Sequence, residues 1–356
     1  MLLPETLKLH DQQRFEFHYI YFLPWKNQMV EAIREAGGVV HCFDASDNIR
    51  IILRVWRVIR YIRNHEIQLV HCHLPWAGFV GRLVHLITRI PVVYTEHNKQ
   101  ERYHGITFWL NKLTFNWQNR ALAVSADVAE SIQQNIKPSI PVQIVLNGVN
   151  TSAFQRNREA GRALRQQLGI PESAVVLGTM AVFRFQKRLV EWLEVMAEVC
   201  RKHHQVYGII VGDGPLKEEI EHKRSALGLE DRIMMPGLQT EVKPWLSAMD
   251  IYIMSSVFEG LPIALLEAMS MECAIVSTDA GGIKELIRHE ADGLLVQVDQ
   301  WKALAQQVEK LLPKEVRDGY GLRARARVEN EFSLTRMVHL LEQIYRQEAA
   351  TGEIPS

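Results

Sequence analysis

The sequence predicts an α/β protein built from two doubly wound, parallel-sheet domains. Three observations lead there. Strand-like apolar runs alternate with helix-like amphipathic runs through almost all of the 356 residues, the pattern of parallel strands covered by helices. That pattern halts at the turn signal Asn147-Gly148 and restarts with the apolar run 175–180. The length suits two domains of ordinary size, each with a core of its own. We therefore expect a first domain over residues 1–153, a second over 154–330, and a terminal helix with a tail over 331–356.

In chain order, the first half offers strands at 15–22, 39–43, 69–72, 92–95, 121–124 and 143–145, each short and rich in β-branched, aromatic or other apolar residues. Helices fall between them at 26–36, 50–64, 76–87 and 125–135. The 50–64 helix carries Ile51, Val55, Val58, Ile59 and Ile62 on one face, with Arg50, Arg54, Arg57, Arg60 and Arg63 off it. The second half reads as strand 175–180, helix 189–203, strand 207–211, helix 216–227, strand 233–235 and helix 242–248. Strand 251–254, helix 263–271, strand 274–277, helix 283–287 and strand 293–296 follow. The closing helix, 333–347, is amphipathic and has no strand after it.

Bulk properties exclude several classes. Forty-one basic residues balance 41 acidic ones, so no whole-chain field points to nucleic acid. The four cysteines (Cys42, Cys72, Cys200 and Cys273) form no CxxC pair, which suits a reducing compartment and buried thiols acting as small apolar residues. His71-Cys72-His73 puts two histidines on one strand face, but no second cluster completes a tetrahedral metal set. No apolar run reaches the length of a transmembrane helix, and Glu5, Lys8, His10 and Asp11 interrupt any leader-like apolar core. The expectation is a cytoplasmic protein, or one peripheral on the inner face of a membrane.

The most informative string is Ser255-Ser256-Val257-Phe258-Glu259-Gly260-Leu261-Pro262, continuing through Glu267-Ala268-Met269. It places one carboxylate in the loop after a strand and a second early in the next helix. In an open parallel sheet such a loop lies at the carboxyl end of a strand, where ligands bind. The helix start offers N–H groups to an anion such as a pyrophosphate. Carboxylates beside phosphate repel it, so they fit hydroxyls instead: those of a sugar and a ribose. The string resembles the Glu-x7-Glu signature of the family 4 glycosyltransferases, whose pattern can be laid along almost the whole chain.

Other stretches carry the same resemblance. Gln68-Leu69-Val70-His71-Cys72-His73 and Pro91-Val92-Val93-Tyr94-Thr95-Glu96-His97-Asn98 are similar to first-domain strands of the family, and the second implies that His97 is a catalytic-cleft histidine. Ala123-Val124-Ser125 and Leu146-Asn147-Gly148-Val149-Asn150 are similar to further family segments, with Asn150 where Asp is usual. Asn and Gly tolerate positive φ, so that stretch reads as interdomain structure. Gly212-Asp213-Gly214-Pro215 matches a family turn whose glycines allow close backbone approach to a ligand. Asp279-Ala280-Gly281-Gly282 matches a turn read as architecture.

One departure is instructive. The family usually has Arg and then Lys five residues later after the second domain's first strand. Here Lys187 stands at the lysine position, but Val182 stands at the arginine position. We expect Arg184 to take over the missing charge, with Arg188 in reserve, because a departing diphosphate needs fixed cations.

The resemblance implies the GT-B fold: two Rossmann-like domains facing a cleft, with the last helix crossing back to the first. It implies a retaining, metal-independent hexosyl transfer from a nucleotide sugar, UDP- or GDP-linked, to a glycan or lipid-linked acceptor in cell-surface polysaccharide biosynthesis, with no cofactor besides the donor. His97 and Glu259 would be catalytic. Arg184, Lys187, Gly260, Leu261, Pro262 and Glu267 would bind the donor. No Asp-x-Asp motif calls for a metal.

Alternatives on the same fold are a sugar-nucleotide hydrolase or epimerase, and a truncated donor-binding protein with little catalysis. The basic stretch 48–64 is read as a helix packed on the first sheet; docking on anionic lipid is the other use open to it. Finally, the family opens with a strand and a Gly-Gly loop. This chain opens with residues resembling the middle of the first helix, so that strand and loop are expected to be missing, through a late start or a truncation.

Overall fold

The computed structural model describes residues 2–351. The chain forms two compact units: one reaches to Asn147 and takes in the chain again from Leu334, and the other is Gly148–Ser333.

The second unit holds one parallel sheet of six strands: β7 (Val175–Met180), β8 (Val206–Val211), β9 (Ile233–Gly237), β10 (Ile251–Met254), β11 (Ala274–Thr278) and β12 (Leu294–Val296). Their spatial order is β12-β11-β10-β7-β8-β9, so β7 is central and the winding reverses beside it. Strands buried on both faces read as continuous apolar runs, and β10 and β11 are buried at every residue. The core on one side gathers Trp192, Leu193 and Met196 of helix Leu189–Lys202 with Ile253 and Val276 of the sheet.

The first unit departs from the single sheet expected. β1 (His18–Tyr21) and β2 (Val39–Cys42) form a parallel pair of their own. β3 (Val70–His73), β4 (Val92–Glu96), β5 (Arg120–Ala123) and β6 (Val142–Ile144) form a separate parallel sheet in that order. Among the described residues β1 pairs only with β2, and β3 only with β4. Side chains bridge the two sheets: Ile20 and Phe22 on one side and Val70 on the other pack on Val58, Ile59, Ile62, Val80 and Val84. The opposite face is covered by helix Leu334–Thr351, where Leu341 and Ile344 pack with Val93 and Leu122.

Several expectations need correction. The predicted 50–64 helix is two, Asn48–Ile52 and Val55–Asn64, broken at Leu53-Arg54. Its apolar stripe (Ile51, Val55, Val58, Ile59 and Ile62) is core, as expected. Cys42 is exposed, unlike the other three cysteines. Neither Asn147 nor Gly148 adopts a positive φ. Asn150 instead caps its own turn, its Oδ1 accepting from Ser152 Oγ at 2.7 Å and from Ala153 N at 3.1 Å. Helices Gly105–Thr114, Arg158–Gln167, Leu304–Leu311 and Lys314–Glu331 were not anticipated.

Candidate functional site

Two loops of the second unit meet at the carboxyl ends of the adjacent strands β7 and β10. The first, 181–188, carries Arg184, Lys187 and Arg188; the second, 255–262, carries Glu259. They are stapled together. Val257 N donates to the Gln186 carbonyl at 2.8 Å, and Ser255 Oγ donates to the carbonyls of Lys187 and Arg188 at 2.9 and 3.0 Å.

On this frame Lys187 Nζ lies 2.6 Å from Glu259 Oε1, and Ser256 Oγ donates to the same oxygen at 2.5 Å. Both charged side chains are largely shielded from solvent, at 19% and 11% exposure. An ammonium has three donors, so the pair presents a fixed cation that can still take up an anion beside an oriented carboxylate. The next turn of chain, Gly260-Leu261-Pro262, leads into helix Ile263–Ser270, with Leu261 and Pro262 buried. Glu267 lies on that helix and is 8% exposed; burial raises its pKa above the ordinary glutamate value.

The three basic residues of the first loop differ sharply. Arg184 is exposed, and its side chain makes no hydrogen bond or ion pair among the described residues. Arg188 has a left-handed backbone (φ 51°) at the start of helix Leu189–Lys202, and its Nη1 donates to the Val298 carbonyl at 2.6 Å. It is anchored structure. Val182, at the family's arginine position, is 52% exposed.

The Gly212-Asp213-Gly214 turn does something other than expected. A Cβ on Gly212 would stand 1.9 Å from the Ala181 carbonyl oxygen, and one on Gly214 would stand 2.6 Å from Phe183 N. The close backbone approach is thus to the chain's own 181–183 segment, which the turn also grips through Phe183 N donating to the Asp213 carbonyl at 2.9 Å. The turn buttresses the basic loop. Gly282 N likewise donates to the Glu259 carbonyl at 3.3 Å.

His97 belongs to the first unit and follows β4. Its Nε2 lies 3.0 Å from His73 Nδ1 of β3. His71 packs on His73 with ring centroids 4.3 Å apart, and its nitrogens engage Tyr345 Oη and Thr95 Oγ1, both at 2.7 Å. Burial lowers the pKa of His97 to about 4 and that of His71 to about 3, and holds His73 well below the ordinary histidine range, so all three rings are neutral near pH 7.

The backbone of His97 is fixed separately. Its N–H donates at 3.0 Å to Glu96 Oε1, a fully buried carboxylate that also receives Tyr103, and whose Oε2 receives Gln100 Nε2 at 2.6 Å and Tyr94 Oη at 3.0 Å. Burial raises the Glu96 pKa, and these hydrogen bonds pull against that rise.

Sequence reading missed four residues of this scaffold: His73, Glu96, Ser256 and Tyr252. The buried Tyr252 takes the Met180 N–H and donates to the Met180 carbonyl, both at 3.1 Å, closing β10 onto the head of the basic loop. Ser256 and His73 stood inside quoted motifs, but neither motif spacing nor residue type pairs them with Glu259 and His97. Among the described residues no three His, Cys, Asp or Glu side chains group in a way that could hold a metal ion.

Comparison with known proteins gives a consistent picture. The profile described as "Glycosyl transferases group 1" matches residues 161–329, and that described as "Glycosyltransferase Family 4" matches residues 10–153. The N-acetyl-alpha-D-glucosaminyl L-malate synthase of Bacillus anthracis is 29% identical over 288 residues, 79% of this chain and 74% of that protein. The UDP-Gal:alpha-D-GlcNAc-diphosphoundecaprenol alpha-1,3-galactosyltransferase of Escherichia coli is 21% identical, over 80% of this chain and 77% of that one. Among solved structures, Anabaena HepE in complex with UDP and glucose superposes with a TM-score of 0.83 at 20% identity, covering 97% of this chain and 95% of the other. Sucrose-phosphate synthase from Thermosynechococcus elongatus gives 0.80 at 17% identity, covering 95% and 100%. At these identities the structural likeness speaks for the fold alone: the two Rossmann-like units of the GT-B class.

Proposed function

The chain belongs to the family 4, group 1 glycosyltransferases, and from that premise we propose a retaining transfer of a hexosyl unit from a UDP- or GDP-linked donor to a glycan or lipid-linked acceptor of cell-surface polysaccharide synthesis. The observation that carries this reading is the Lys187–Glu259 pair, shielded, 2.6 Å apart and stapled at the carboxyl ends of two adjacent strands. Lys187 holds the leaving diphosphate, joined by Arg184, which is exposed and uncommitted. Glu259 holds the donor sugar with the backbone at Gly260-Leu261-Pro262, and Glu267 holds the ribose hydroxyls. His97 is the first unit's contribution to the transfer. Charge that develops on the diphosphate is met by fixed side-chain cations and a helix start, so the reaction is metal-independent in this reading.

The test is turnover against a panel of nucleotide sugars in EDTA, with donor binding followed by calorimetry. Glu259→Gln should keep the fold and lose turnover by 100-fold or more, about the loss of one oriented transition-state contact, with a smaller loss of donor affinity. Wild-type turnover in that variant, or strict dependence on added Mg²⁺ or Mn²⁺, would overturn the assignment.

Membrane contact belongs to the same proposal. No helix among the described residues is long and apolar enough to cross a membrane. The support is a second, exposed apolar set on the basic stretch: Ile49, Leu53 and Trp56, 72, 67 and 66% exposed, interleaved with Arg50, Arg54 and Arg57. Exposed aromatic and aliphatic side chains among arginines complement an anionic bilayer surface. Co-sedimentation with phosphatidylglycerol vesicles should fall at high salt and vanish in the Arg54→Glu/Arg57→Glu variant. Salt-insensitive binding, or none, would remove the membrane from the proposal.

A further inference from the structure

We propose that His73 is a positioning residue that fixes the ring plane and the tautomer of His97. The inference rests on the reading of His97 as a transfer residue and extends it to a neighbour on the adjacent strand.

The facing atoms, His73 Nδ1 and His97 Nε2, are 3.0 Å apart. A hydrogen bond between two ring nitrogens requires one to carry a proton and the other to lack it. Two facing N–H groups would repel at this distance even on neutral rings, and burial opposes a further proton on either ring. One proton is therefore shared, and the two neutral rings hold the same tautomer, both Nδ1–H or both Nε2–H. Whatever His73 presents at Nδ1 dictates the state of His97 Nε2, and through it the state of His97 Nδ1. That outer nitrogen has no hydrogen-bond partner among the described residues and is the one left to meet a substrate hydroxyl.

His73 is itself held, which a positioning residue must be. Its ring packs on His71 at 4.3 Å, and His71 is pinned at both nitrogens by Tyr345 of helix Leu334–Thr351 and Thr95 of β4. In the parallel register His73 pairs with Thr95, placing its ring beside the residue two positions beyond. The Glu96 carboxylate fixes the backbone of His97, and His73 fixes its ring. Together they leave that side chain little rotational freedom, as a group held ready for a reaction requires.

The experiment compares His97→Ala, His73→Leu, His73→Asn and His73→Gln in steady-state kinetics, with ¹⁵N-histidine NMR of the whole protein. His73→Leu should lower kcat about 10- to 100-fold, the scale of a mispositioned group, and change the donor KM less than twofold. Asn places its amide nitrogen where Nδ1 stands and Gln places it where Nε2 stands, so Asn should restore most of kcat and Gln should not. In the NMR spectrum the His97 ring nitrogens should show one fixed tautomer in the wild type and averaged tautomers in His73→Leu.

If His97→Ala keeps full turnover, the role of His97 falls, while the NMR arm still decides whether His73 sets its tautomer. If His97→Ala is inactive yet His73→Leu has wild-type kcat, the positioning inference alone is overturned. Equal activity of the Asn and Gln variants overturns it as well, and that comparison stands even where His73→Leu does not fold.

Discussion

Arg184 and Arg188 flank a single turn of 3-10 helix, Phe185–Lys187, yet their surroundings assign them opposite tasks. Arg184 reaches solvent uncommitted, whereas Arg188 is tied to the Val298 carbonyl and lies 3.6 Å from Glu191. Arg184→Ala should therefore reduce kcat/KM at least 10-fold with an unchanged melting temperature. Arg188→Ala should cost about 1–2 kcal/mol of stability, the loss of a charged hydrogen bond, with a smaller effect on turnover. Parallel kinetics and urea titrations check both, and the reverse order would mean that the register of this loop on the family pattern is wrong. At this scale the sequence was informative where chemistry is contiguous. Glu259, Glu267, Lys187 and the substitution at Val182 all stand in one-dimensional motifs. It was silent on His73 beside His97 and on Ser256 bonded to Glu259, because those pairings depend on strand register and loop stapling, and no spacing rule encodes either.

Elements were legible in proportion to their periodicity. Strands β7 and β10 were placed to the residue, as dense apolar runs with sharp ends. Helix Gly105–Thr114 was missed for a physical reason: its buried position is Asn111, while Ile106, Trp109 and Leu113 are exposed, which inverts the usual amphipathic signal. Asn111 is buried because it bridges two charges. Its Oδ1 accepts from Arg82 Nη1 at 2.8 Å, and its Nδ2 donates to Gln100 Oε1 at 2.7 Å and, more weakly at 3.4 Å, to Glu96 Oε2. Arg82 and Glu96 are both fully buried, so each offsets the charge of the other through that amide. Glu96→Ala should then destabilise the first unit by about 3–5 kcal/mol, since it strands the guanidinium and leaves Tyr94, Tyr103, Gln100 and the His97 N–H without their acceptor. Urea denaturation followed by tryptophan fluorescence measures this, and a loss below 1 kcal/mol would refute the network's structural weight. An accompanying Arg82→Met change should recover part of the loss.

Over the whole molecule, the return of the chain at Leu334 is the connection that matters most, because the last helix supplies Tyr345 to His71, Glu342 to His10 and Glu348 to Arg120. His71, so covered, and His97 make stability pH-dependent with a definite sign. Their folded pKa values lie below the unfolded value near 6.5, so their contribution is complete above pH 6.5 and is lost as pH falls toward about 4 for His97 and about 3 for His71. Each can remove up to about 1.4 kcal/mol per pH unit in that window. Wild type should lose more stability between pH 7 and pH 5 than His71→Asn, as read from urea midpoints; equal losses would contradict the buried, neutral state. The two-sheet organisation was beyond reach of sequence reading, which identified all six strands of the first unit but not which edges would pair. It has its own consequence. Ladder hydrogen bonds propagate cooperativity, whereas a join made of side chains alone transmits it weakly. The amides of β1 and β2 should exchange with deuterium through a partial opening of lower free energy than that protecting β4 and β5. This would make the strand pair a separable foldon, the first part of the protein to let go and the last to recover its protection.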